Sequence, residues 1–292
     1  MKKRQILGAT MLGAAGFGVL ACALVAPRRG HEGISARWRE LSRFRYAHRG
    51  LHDNRTPAPE NSLAAFRLAR EWGYGSELDV HLTADDQLVV IHDSKLRRAC
   101  GVEGVVEEMT LAQLQDLRLF GTRQGIPTFE QVLEVYEGGA GPCPPLVVEL
   151  KTHGNNYAQL TEAAMAMLDA HQVPYCVESF DPRVLWWLRH NRPEVVRGQL
   201  SENFLLDKDS QVSAVRGLLH GALLFNVFAR PDFVAYNHLH KDRLGVRLAC
   251  ELLGAPLVTW TVKTPEQLAE VEAVGGVGIF EGFEPGPLKA EG

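Results

Sequence analysis

The chain has 292 residues, 46% of them hydrophobic and 23% charged, a balance that suits a globular fold rather than a fibrous or disordered chain. A formal net charge of -4 and a pI near 6.3 argue against a nucleic-acid binder held by a basic surface. Five cysteines, Cys22, Cys100, Cys143, Cys176 and Cys250, form no CxxC pair, which argues against a disulfide framework or a structural zinc site.

At the N-terminus, Lys2-Lys3-Arg4 precedes an uncharged run from Gln5 to Pro27 rich in Ala, Leu, Gly and Val. A basic flank before an apolar run marks residues 1–27 as a signal peptide or an uncleaved signal anchor. At roughly 20 residues the run can just span a bilayer. Ala21-Cys22-Ala23 is a weak cleavage site, and bulky Leu20 makes Val19-Leu20-Ala21-Cys22 a poor lipoprotein site. The span length favours the anchor, so single-pass attachment to the cell membrane is expected. Arg28, Arg29, Arg37 and Arg39 follow the run and three basic residues precede it, so the positive-inside rule does not assign the side. Residues 28–44, polar and basic, read as a linker.

From Tyr46 onward short β-branched strands alternate with amphipathic helices. Strands are predicted over Tyr46–His48, Ser76–Leu82, Leu88–His92, Leu146–Leu150, Tyr175–Ser179, Val195–Gln199, Phe233–Tyr236, Leu257–Thr261 and Val277–Phe280. Helices are predicted over Asn61–Trp72, Thr128–Tyr136, Tyr157–Ala170, Asp181–Asn191, Lys241–Leu253 and Pro265–Val274, with Asn61 or Ser62 capping the first. About eight such units in about 240 residues predict an α/β fold, a distorted (β/α)8 TIM barrel over residues 45–287. The distortion comes from a hairpin: Asp85-Asp86 reads as a two-residue tip, which would set Asp79 opposite His92. Residues 95–126, poor in strand pattern, read as a small insertion after the third strand.

Polar residues gather at the strand C-termini, the active face of such a barrel. Glu77 and Asp79 share a strand face, and Glu149 ends another strand, so three carboxylates form an oxygen-rich site for Mg²⁺ or Ca²⁺. Without a cation these groups repel, and one takes up a proton. His48 and His92 form a candidate acid–base pair. Arg49 and Lys151 add positive charge suited to phosphate oxygens. His81 shares a face with Asp79 but is expected past the rim, and neither a Gly-x-Ser-x-Gly elbow nor a P-loop occurs.

The sequence resembles the glycerophosphodiester phosphodiesterase family through His48-Arg49-Gly50, Pro59-Glu60-Asn61-Ser62, Glu77-Leu78-Asp79-Val80, Val89-Val90-Ile91-His92-Asp93, Ile126-Pro127-Thr128-Phe129, Val148-Glu149-Leu150-Lys151, Ser179-Phe180 and Trp260-Thr261-Val262, in family order. A membrane segment before the barrel looks like a branch of that family found in Gram-positive bacteria. The resemblance implies a TIM-barrel hydrolase that releases glycerol 3-phosphate and an alcohol from a small glycerophosphodiester. Glu77, Asp79 and Glu149 would bind the cation, and His48 and His92 would serve as general base and acid. Arg49 and Lys151 would hold the phosphate, and Phe180 and Trp260 would shape the glycerol-side pocket. The pattern departs at Lys263, where the family has Asn, and at the end of the last strand, where Glu281 follows Phe280 in place of Thr-Asp. Competing readings are a phospholipase-D-like enzyme acting on lysophospholipids and a binding barrel without catalysis.

Overall fold

A computed structural model of the chain describes residues 18–28, 32–139, 141–204 and 213–286. Its main elements are α1 (Glu32–Leu41), β1 (Tyr46–His48), α2 (Leu63–Glu71), β2 (Gly75–Leu82), β3 (Leu88–Val90), α3 (Phe129–Glu137), β4 (Leu146–Leu150), α4 (Tyr157–Ala170), β5 (Tyr175–Ser179), α5 (Pro182–Asn191), β6 (Arg197–Ser201), α6 (Ala214–Gly221), β7 (Phe233–Asn237), β8 (Leu257–Val262), α7 (Pro265–Ala273) and β9 (Val277–Phe280). Strands β1, β2, β4, β5, β6, β7, β8 and β9 pair in parallel and close on β1, while β3 folds back antiparallel on β2. The β/α barrel is thus closed, and its parallel strands are buried runs such as Leu146-Val147-Val148-Glu149-Leu150. The helix expected over Lys241–Leu253 is instead an α-turn at Leu244–Arg247 running into a π-helical turn at Leu248–Leu252.

The hairpin corrects one expectation. Val80 pairs with Val90 and Leu82 with Leu88, and Thr83 N donates to Gln87 O at 2.9 Å, so the loop is the three residues Ala84-Asp85-Asp86. Asp86 takes φ 61°, which an aspartate tolerates better than most residues. The extra loop residue moves the ladder by one: Ile91 N donates to Asp79 O at 3.0 Å, and His92 is not opposite Asp79. Strand β3 ends at Val90, leaving His92 in the exit loop. Val89 and Ile91 then face outward, where Leu96, Val106, Leu114 and Leu119 of the insertion build a satellite core on them.

The barrel floor is filled by Tyr46, Val147, Cys176, Val196, Phe233 and Val258. Gly198 is required here, because a Cβ would lie 2.1 Å from the Phe233 ring. The segment expected to be a linker contains α1, whose Trp38 stacks on Phe233 at 4.9 Å and whose Leu41 is buried. Its apolar positions Ile34, Trp38 and Leu41 recur at helical spacing, a signal masked by the arginines between them. Residues 1–17 of the expected anchor lie outside the described residues. Residues 18–25 are helical, and among the described residues no helix is long and apolar enough to cross a membrane. Val25 is buried against Leu223, Val234 and Tyr236, and Arg28 grips Asp232 through Nε–Oδ1 at 2.6 Å and Nη2–Oδ2 at 2.9 Å. All five cysteines are free.

Candidate active site

The turn after β1 organises one side of the mouth. Arg49 (φ 55°) and Gly50 (φ 81°) reverse the chain, and a Cβ on Gly50 would meet the Ala65 carbonyl carbon at 2.8 Å. Asn61, also left-handed at φ 55°, donates its backbone N–H to Arg49 O at 2.9 Å. Ser62 caps α2 by accepting from Ala65 N. Asn61 is thereby left to donate its side-chain N–H to Asp79 Oδ2 at 2.8 Å.

Strand β2 carries Glu77 and Asp79, and the β2–β4 register sets Asp79 beside Glu149. Carboxylate oxygens of Glu77, Asp79 and Glu149, all buried, lie within 4.8 Å of one another. Lys151 Nζ stands 3.1 Å from Asp79 Oδ1 and 3.0 Å from Glu149 Oε1. Burial and the neighbouring Asp79 and Glu149 push Glu77 well above the ordinary carboxylate range. Burial, partly offset by Lys151, pushes Glu149 up to about 7. Burial also opposes the ionisation of Asp79, but Lys151, His92 and Arg49 outweigh it and hold its carboxyl low. Asp79 Oδ1, buried, makes an ion pair but no hydrogen bond. Such a set of buried, mutually repelling oxygens fits a hard divalent cation.

Each histidine has a carboxylate on Nδ1. His48 Nδ1 is 2.7 Å from Glu281 Oε2, and its Nε2 is 3.8 Å from Glu77 Oε2. Burial and Arg49 lower His48 to about 4, against the pull of Glu281. His92 Nδ1 is 2.5 Å from Asp93 Oδ1, and His81 Nε2 reaches the His92 carbonyl at 3.2 Å while its Nδ1 meets Glu107 at 2.6 Å. Burial and Lys151 lower His92 as well, opposed by Asp79 and Asp93. Arg98, from the insertion, binds Asp93 and also Glu60, through Nη2–Oε1 at 2.6 Å and Nη1–Oε2 at 3.1 Å. Glu60 Oε1 in turn accepts from Arg49 Nη1 at 2.9 Å.

His48, Arg49, Glu77, Glu149 and Trp260 line one cavity of about 370 Å³, whose wall continues through His92, Lys151 and Phe180. The Phe180 and Trp260 rings meet edge to face at 5.7 Å. An adjoining groove of about 900 Å³ shares His92, Lys151 and Phe180 and is bordered by Lys95, Arg97 and Asp181. All the expected site residues therefore gather at the C-terminal end of the barrel, Asp79 among them through its contacts with Lys151 and Asn61. Sequence reasoning gave no role to Glu178, a strand-end residue that is 1% exposed, pairs in register with Glu149 and has an unpartnered Oε2. Burial, Glu149 and Asp79 push its carboxyl well above the ordinary range. A glutamate two residues before Phe180 on an inward-facing strand was the available signal.

A closed β/α barrel with a three-carboxylate cluster, two carboxylate-paired histidines and adjacent Arg and Lys at its mouth is the architecture of a phosphoric diester hydrolase. Residues 48–282 match the Glycerophosphoryl diester phosphodiesterase family, and the chain belongs to that family. It is 31% identical over 246 residues to the YhdW protein of Bacillus subtilis (strain 168), whose name places it among glycerophosphodiester phosphodiesterases, covering 81% of this chain and 93% of that one. It is 29% identical over 244 residues to the glycerophosphodiester phosphodiesterase of Caldanaerobacter subterraneus subsp. tengcongensis, covering 80% and 91%. Its fold is similar to that of an Oleispira antarctica phosphodiesterase in complex with the product sn-glycerol-3-phosphate, with TM-score 0.67, 23% identity, and coverage of 84% and 94%.

Proposed function

We propose that the chain hydrolyses glycerophosphodiesters to glycerol 3-phosphate and an alcohol, with a divalent cation and with His48 and His92 as base and acid. What supports this above all is the junction of three buried carboxylates, two basic side chains and two histidines around one cavity. Glu77, Asp79 and Glu149 would hold the cation, Mg²⁺ or Ca²⁺, which when bound supplies charge neutralisation to the phosphate. Arg49 and Lys151 bind phosphate oxygens and favour the charge that builds up on them. His48, lowered to about 4, is neutral near pH 7 and takes a proton through Nε2 from the attacking hydroxyl, such as that of the adjoining glycerol carbon. His92 gives a proton to the departing alcohol oxygen, and Asp93 favours the charged ring that donates it. Water then opens the cyclic phosphate with the roles reversed.

Phe180 and Trp260 form the apolar wall on the glycerol side. The alcohol departs toward the groove beyond His92, whose Lys95, Arg97 and Asp181 suit a hydrophilic headgroup. The test is release of glycerol 3-phosphate from glycerophosphocholine and glycerophosphoethanolamine with Mg²⁺, Ca²⁺ or chelator. Metal-dependent release is expected. Chelator-resistant release would overturn the cation site, and turnover of lysophosphatidylcholine alone would overturn the substrate class.

A further inference from the structure

We propose that Glu281 is the positioning residue of His48 and that Lys263 fixes it in place, so that side chains at the C-terminal ends of β1, β8 and β9 act as one unit. This rests on the reading of His48 as the base. The Glu281 carboxylate is held at both oxygens: Oε2 lies 2.7 Å from His48 Nδ1, and Oε1 lies 2.8 Å from Lys263 Nζ, with His52 Nε2 farther off at 3.9 Å. Its main chain is fixed as well, since Glu281 N donates to Val262 O at 3.0 Å, one residue before Lys263. Lys263 N donates to Gln267 Oε1 at 2.8 Å, which ties the same turn to α7. Neither oxygen of the carboxylate can swing away without losing its partner, a ring nitrogen on one side and an ammonium on the other.

The consequence is chemical. A carboxylate accepting the Nδ1 hydrogen selects one tautomer of a neutral imidazole, with the lone pair on Nε2. In His48 that nitrogen is the one on the Glu77 side, 3.8 Å from its carboxylate. When Nε2 takes a proton, the same carboxylate faces the resulting imidazolium, so Glu281 serves the ring before and after the transfer. Lys263 is half exposed, with side-chain exposure of 54%, and Glu281 is less so at 26%, so the pair stands at the rim of the site. Without Lys263, Glu281 keeps its charge but loses the contact that holds it against the ring.

The test measures kcat and KM on glycerophosphocholine for E281Q, E281D, K263M, H48A and H48A/E281Q, each first checked for native circular dichroism and Tm. E281Q is expected to lose about 10² in kcat with KM within about twofold. E281D, charged but shorter, falls between E281Q and wild type and serves in its place should E281Q fold poorly. K263M loses about tenfold in kcat. In the H48A background E281Q costs nothing further, because its effect passes through the ring. If E281Q is fully active while H48A is impaired, or if the two losses multiply, the role of Glu281 is overturned and that of His48 stands. Full activity of K263M overturns the part given to Lys263. Full activity of H48A overturns the catalytic reading itself.

Discussion

His48 and His92 repeat one arrangement: Nδ1 is tied to a carboxylate, and the other ring nitrogen is the one the proposed reaction would use. Alanine at either position is expected to lower kcat by about 10² to 10⁴ while leaving Tm within a degree or two, as steady-state rates and thermal melts can check. Glu60 gives a prediction about stability. Burial works against its ionisation, yet Arg98 and Arg49 outweigh that and hold it at about 2, below its ordinary 4.5. Its ionised form therefore stabilises the fold fully above pH 4.5 and loses that contribution as pH falls toward 2. E60Q should melt below wild type at pH 7, with the gap closing between pH 4.5 and pH 2. At this scale the gathering of Glu77, Asp79, Glu149 and His48 was legible because their spacing sets them on strand faces and at strand ends. Their partners were not: the carboxylate on His48 is 233 positions away, and nothing local links Glu281 to it. Lys263 and Glu281, two separate departures from the family pattern in sequence, are a single ion pair in space.

Among the elements, the insertion does more than interrupt the alternation of strands and helices. Its Arg98 joins Asp93, which orients His92, to Glu60, which orients Arg49, and its Glu107 meets His81 beneath the His92 carbonyl. R98A should lower kcat/KM by about tenfold, with little change in the secondary structure seen by circular dichroism. Strands such as β4 were legible because buried parallel strands are continuous apolar runs, whereas β6, Arg197-Gly198-Gln199-Leu200-Ser201, begins two residues later than its apolar signal at Val195-Val196 suggested. The hairpin register was not legible, because Asp86 can take the left-handed region in either a two-residue or a three-residue loop, and it does so here in the longer one. Helix α1 escaped notice for the reason that makes it stable: three apolar side chains face the floor while Arg37 and Arg39 face outward. W38A removes the stack on Phe233 and should cost about 2–3 kcal/mol in urea or thermal unfolding.

For the molecule as a whole, the carboxylate cluster is a region of stored repulsion relieved by a proton or by a cation. Glu149, at about 7, keeps its proton below neutrality, and the cation must displace it. Mg²⁺ or Ca²⁺ should therefore raise Tm more at pH 8 than at pH 6, and chelator should remove the increment together with activity. E149Q should lose most of the cation-induced shift at both pH values. The opposite end of the barrel has a different role. Val25, Arg28 and α1 dock on the floor, at the N-terminal ends of β6, β7 and β1, the far side from His48 and Lys151. The polypeptide thus enters its own barrel from behind. Fixed to a bead or an electrode on the side of Arg28 and α1, the molecule would turn the end that carries His48 and Lys151 toward the liquid.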